Sequence, residues 1–169
     1  MSAVRSLVAV VLAASVSIVS VTMPAQAAPG ALSWVAAPGQ APAQPPPWAP
    51  CGIGDSASKI VHLYPLGAAL RCGTENAGYR HILKRHMKDF EVMAFGTAQN
   101  WRDIAHLAIH HTMQTPEKNT SNGGKTCRSR NIILVNLQSN KEVGRKVVRV
   151  VTSDTKNNDV ITAYPAGHC

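Results

Sequence analysis

The side chains best suited to chemistry in this chain are histidines and bases. Of the seven histidines, His81 and His86 fall in one stretch where Tyr79, Ile82, Leu83, His86 and Phe90 recur at helical spacing. An imidazole titrates near neutrality, so it can take a proton and return it. Five helical steps set these two about 140° apart around the axis, so they are not expected to address one atom in the same way. His86 shares the apolar face; His81 shares a basic one with Arg85 and Lys88. His106, His110 and His111 form H-x-x-x-H-H. His106 and His110 share a helix face and could hold a metal. Leu107 stands where the zinc-protease pattern places Glu. Surface or half-buried histidines, with no metal and no other cofactor, are therefore the expectation.

The carboxylates argue by their spread. The nine acids make no D-x-D or D-x-x-E, and a two-metal nuclease needs clustered carboxylates. Neither G-x-S-x-G nor a P-loop occurs. The bases are grouped: Arg80, Lys84, Arg85 and Lys88; Lys125, Arg128 and Arg130; Lys141, Arg145, Lys146 and Arg149. With a formal net charge of +8, this pattern suits RNA or another polyanion.

These residues need a scaffold. Residues 1–27 read as a secretory signal peptide: Arg5, an apolar run from Leu7, Pro24 as breaker, and Ala25-Gln26-Ala27 for cleavage. Cleavage would leave no membrane span and a secreted, extracellular protein. Residues 28–50 hold seven of the 11 prolines and no charge, so an extended, disordered arm is expected, with Trp34 and Trp48 exposed in it. Residues 51–169 form the compact, nuclease-like domain, taken as a monomer.

Helices are expected from about Asn76 to Phe90 and from Asn100 to Thr115, the second with Asp103 in its first turn and Trp101, Ile104, Ala105 and Ala108 inward. A polar loop covers Thr115–Thr126. Strands follow at Ile132–Leu137, Lys146–Thr152 and Asp159–Tyr164, and Ile60–Tyr64 could add an edge. The expected class is α+β: two helices at the N-terminal side of the domain, packed on a small antiparallel sheet. The four cysteines of an exported domain imply two disulfides. Of three pairings, Cys51–Cys72 with Cys127–Cys169 is preferred, because it closes one local loop and ties down the C-terminus. No C-x-x-C supports zinc.

Two segments carry a resemblance. Gly78-Tyr79-Arg80-His81-Ile82-Leu83-Lys84-Arg85-His86 resembles the H-(I/T)-x-x-R-H helix of small bacterial toxin ribonucleases, and Thr162-Ala163-Tyr164-Pro165 resembles the T-x-Y-P ending their final strand. The pair is similar to the RNase A-like domains of contact-dependent inhibition toxins and to the broader barnase–EndoU–colicin–RelE group. The resemblance implies a metal-independent endoribonuclease with His86 or His81, Thr162 and Tyr164 at its site, and a neutralising immunity protein as partner. The arginine usual some ten residues beyond R-H is missing. Arg102 is the nearest, and Arg149, Arg130 and Arg85 are the other candidates for the phosphate. Such an enzyme uses the 2′-hydroxyl of RNA as nucleophile, with histidine moving its proton. The alternative is a non-catalytic basic module binding anionic cell-surface polymers.

Overall fold

In the computed structural model, which describes residues 31–41, 46–155 and 158–169, nine elements follow one another. They are β1 (Leu32–Val35), β2 (Ile60–Leu63), β3 (Ala69–Arg71), α1 (Tyr79–Ala94), α2 (Trp101–Gln114), β4 (Lys118–Asn122), β5 (Lys125–Asn136), β6 (Lys141–Ser153) and β7 (Val160–Pro165). The signal-peptide reading of 1–27 lies outside the described residues. The helices therefore sit in the middle of the chain, after three strands, which corrects the expectation that they lead the domain.

The main sheet is antiparallel, in the order β1-β5-β6-β7, with β4 also on β5. β2 and β3 form a separate two-stranded sheet. Ile60–Leu63 is thus a strand, but not an edge of the main sheet. Lys118–Asn122, expected in a loop, pairs with Ser129–Lys125 through its backbone while all five side chains stay exposed.

The first strand overturns the reading of residues 28–50 as a wholly unfolded arm. Leu32–Val35 pairs with Asn136–Ile133 of β5. Trp34 is buried and donates from Nε1 to the Met93 carbonyl at 2.7 Å. Trp48, half-buried against the core, donates from Nε1 to the Tyr64 hydroxyl at 2.8 Å. Neither tryptophan is the exposed linker residue expected. Each buries a large ring and still satisfies its N–H.

Both helices are amphipathic. α1 buries Tyr79, Ile82, Phe90 and Met93; Leu83, expected inside, is exposed. α2 opens with a capping box, Asn100 accepting from the Asp103 N–H and Asp103 accepting from the Asn100 N–H. It buries Ile104, Ala105, Ala108, Ile109 and Met113. These side chains meet Ile132, Val148, Val150 and Ala163 in one core.

Two disulfides join Cys51 to Cys72 and Cys127 to Cys169, with Cα–Cα distances of 5.7 and 5.9 Å. This is the preferred pairing. The first ties the segment after Trp48 to β3. The second draws residues 166–169 onto β5 and β6. There His168 Nδ1 meets the Ser129 hydroxyl at 3.0 Å, and Arg149 donates to the Gly167 and His168 carbonyls.

Gly78, just before α1, fixes where that helix begins. Its φ is +82°, and a Cβ there would come within 2.7 Å of the Arg71 carbonyl oxygen. Its N–H donates to the Ile161 carbonyl of β7 at 2.8 Å, and the Arg80 N–H donates to the Cys72 carbonyl at 3.0 Å. The helix that carries His81 and His86 is thereby pinned to the strand that carries Thr162 and Tyr164.

Candidate functional site

The pin on β7 has a direct result. His86 stacks on Tyr164, ring centroids 4.8 Å apart and planes 17° apart. His81 lies 5.3 Å from His86, centroid to centroid. Five helical steps set the two side-chain directions about 140° apart. Their rings nonetheless converge, because side chains one and a half turns apart can lean toward the same gap beside β7.

Hydrogen bonds orient both rings. His86 Nδ1 lies 3.0 Å from the Asp89 carboxylate, and His81 Nδ1 lies 2.7 Å from the Glu75 carbonyl oxygen. Each partner oxygen can only accept, so each Nδ1 must be the donor. In the neutral ring this leaves Nε2 with a lone pair. The site therefore holds two adjacent imidazoles of fixed tautomer, each able to receive or deliver a proton at Nε2. Asp89 was not singled out by sequence, although its H-x-x-D spacing from His86 on a helix was the signal available for it.

Strand β7 supplies the other side. Thr162 and Tyr164 share a face of the strand. Thr162 is buried, and its hydroxyl has no hydrogen-bond partner among the described residues. A cavity of about 370 Å³ adjoins the stack, lined by Asp89, Trp34, Val92, Met93, Lys146 and Pro165. Lys146 is its cation, placed there by β6.

The arginines divide. Arg149 is paired with Tyr164 across the β6–β7 ladder, but its guanidinium is held by the C-terminal carbonyls. Arg85 adjoins His86 on α1. Arg130 donates to the Thr115 carbonyl and hydroxyl. Arg102 donates to the Tyr79 hydroxyl at 2.9 Å and lies over the Trp101 ring at 5.3 Å. It lines a different cavity, of about 420 Å³, with Trp48 and Tyr79. Arg149, Arg102 and Arg130 are thus tied to other partners, and Arg85 is next to His86 by its place in α1 alone.

A second group of histidines lies on α2. Burial first, then the neighbouring histidines, hold His106 down to about 4. Burial, then His110 and Arg130, hold His111 down to about 4. Burial also lowers His62, on β2.

Comparison with known proteins is sparse. No family model matches, and no solved structure matches. Two uncharacterized proteins of Mycobacterium tuberculosis, one from each of two strains, are 29% identical over 143 residues. The match covers 73% of this chain and 51% of each relative, so the chain spans about half the length of the curated relatives it matches. Their names give no activity.

Proposed function

We propose that the chain is a secreted, toxin-like endoribonuclease that cleaves RNA by histidine-assisted attack of the 2′-hydroxyl on the adjacent phosphorus. One observation carries the reading: two imidazoles, 5.3 Å apart, with both Nδ1 atoms tied and both Nε2 atoms available, beside the Tyr164 ring. One neutral Nε2 takes the 2′-hydroxyl proton as the 2′-oxygen bonds to phosphorus. The other, protonated, gives its proton to the 5′-oxygen as the P–O5′ bond breaks. The products are a 2′,3′-cyclic phosphate and a free 5′-hydroxyl. Each proton transfer supplies on the order of 10²–10⁴-fold. His86, whose Asp89 partner can offset imidazolium charge, suits the base; His81 suits the acid. Lys146 and the Tyr164 hydroxyl are the groups that would meet the phosphate and its developing charge; the Thr162 hydroxyl is buried and the Arg149 guanidinium is tied to the C-terminal carbonyls, so both would act from behind the site.

Two disulfides fit an oxidising, extracellular compartment. Among the described residues, no helix is long and apolar enough to cross a membrane. A neutralising immunity protein is the partner such an activity calls for in its producer.

The test is incubation of purified protein with RNA in EDTA, beside His86→Ala. Wild type is expected to yield cyclic-phosphate ends, and the variant to lose at least about 100-fold. Intact RNA with wild type, or equal cleavage by the variant, overturns the proposal. Salt-sensitive RNA binding without cleavage would favour the non-catalytic basic module instead.

A further inference from the structure

The H-x-x-x-H-H motif takes no part in the cleavage site, yet the fold adds to it. Strand β2 lays His62 against α2, its ring centroid 5.0 Å from that of His106. His106 in turn lies 6.0 Å from His110, one helical turn on. We propose that His62, His106 and His110 form a binding site for a divalent transition-metal ion of the imidazole-preferring kind, Zn²⁺, Ni²⁺ or Cu²⁺.

The His62–His106 spacing is already that of two ligands to one ion, and His110 stands about 1 Å farther out. With metal–nitrogen bonds of about 2.0–2.1 Å, tetrahedral imidazoles set their ring centres roughly 5 Å apart. The pair His106/His110 is the i, i+4 arrangement that lets two helical side chains share an ion. His62 supplies a ligand from another element, which a surface pair lacks. His106 also has an outer partner. Its Nδ1 lies 3.1 Å from the Tyr64 hydroxyl, which accepts from Trp48 Nε1 at 2.8 Å. Metal-bound histidines characteristically engage an oxygen through the nitrogen that does not ligate, and this fixes the ring. Here it leaves Nε2 for the ion. Burial disfavours the charged form of both His62 and His106, and the neutral ring is the form that ligates. Among the described residues, none of the three is ion-paired to a carboxylate.

One side chain must move to complete the site. Among the described residues, only Cys51, Asp55 and Cys72 bring three donor atoms within 4.8 Å of one another, and those two sulfurs are bonded to each other. The histidine trio closes when a ring turns. His62 and His110 are both half-buried with no side-chain hydrogen bond among the described residues, and of the two it is His110 that stands farther from His106 and must turn. Micromolar rather than nanomolar affinity is the consequence. The ion would reach Trp48 through His106 and Tyr64, so binding also clamps the segment that precedes Cys51.

The experiment is titration of untagged, EDTA-stripped protein with ZnCl₂ and NiCl₂ by calorimetry at pH 7.4, and with CuCl₂ by tryptophan quenching. One saturable ion per chain is expected, with a Kd on the order of 1–50 μM, strongest for copper. His62→Gln, His106→Gln and His110→Asn should each weaken it at least about 10-fold; His111→Asn and His86→Ala should not. The surface variant His110→Asn keeps the test valid if a change at His106 disturbs folding. No saturable binding below about 1 mM overturns the proposal. So does unchanged affinity in His62→Gln, which would reduce the site to a helical pair. Because His86→Ala keeps the metal site and EDTA spares the cleavage site, each reading can fail without the other.

Discussion

Mild acid should weaken this fold through two histidines of α2. His106 and His111 are each held down to about 4 in the folded protein, from an ordinary value of 6.5. Below pH 6.5 the unfolded chain therefore binds more protons at these rings than the folded one does. Stability is complete above about pH 6.5 and falls as the pH drops toward 4. From pH 7 to pH 5 the full linkage is about 2 kcal/mol for each ring. Both rings keep solvent contact, so roughly half of that, about 1 kcal/mol apiece, is the working figure. His62 moves in the same direction. Asp55 and Glu75 start from 3.8 and 4.5 and are lowered further, so the interval from pH 7 to pH 5 isolates the histidines. Urea unfolding followed by tryptophan fluorescence, at several pH values, fixed ionic strength and 1 mM EDTA (roughly a thousandfold over trace metal), measures it. Wild type should lose about 2 kcal/mol between pH 7 and pH 5, and the double variant His106→Gln/His111→Asn should lose little. An equal loss in the double variant refutes the argument.

Other consequences follow from single contacts. Asp89→Asn should lower RNA cleavage by about 10–100-fold without weakening RNA binding, because it disturbs the His86 tautomer while removing a negative charge from the groove; gel-shift and cleavage assays separate the two. Gly78→Ala forces a Cβ toward the Arg71 carbonyl at a left-handed φ, and should cost about 2–3 kcal/mol and lower cleavage by shifting α1 against β7. Replacing Cys127 and Cys169 together by Ser opens a connection of 42 residues and should cost about 4 kcal/mol, read by denaturant midpoint. Trp34→Ala removes a buried ring and its bond to Met93, and should cost about 3–5 kcal/mol.

The parts of the fold that sequence revealed were those with local codes. The helices carried their apolar spacing, α2 its Asn100–Asp103 cap, β6 and β7 their β-branched runs. The cysteine pairing followed from loop size. Three strands carried no such code, the three-residue β3 (Ala69–Arg71) among them. β1 is four residues set among prolines, and its existence depends on β5 having a side left to fill. β4 is polar throughout and held by its backbone ladder and one side-chain contact, Ser121 to Thr126. The site was legible by residue type but not by arrangement. Nothing in the order of residues says that α1 would start on β7, that His81 and His86 would lean together, or that His62 would pack against both Tyr64 and His106. Those are products of Gly78, of the two disulfides and of the small second sheet.

The two partners of β5 on one side meet it at different places: β4 covers Lys125–Ser129 and β1 covers Ile133–Asn136. Without β1, the apolar end of the longest-paired strand would present bare N–H and C=O groups beside Val35's empty place over Ile133 and Val135. Such an edge invites strand addition by a neighbouring molecule. The short segment among the prolines thus acts as a guard against self-association, and proteolytic loss of residues 31–41 would be expected to show first as aggregation, with local unfolding secondary to it.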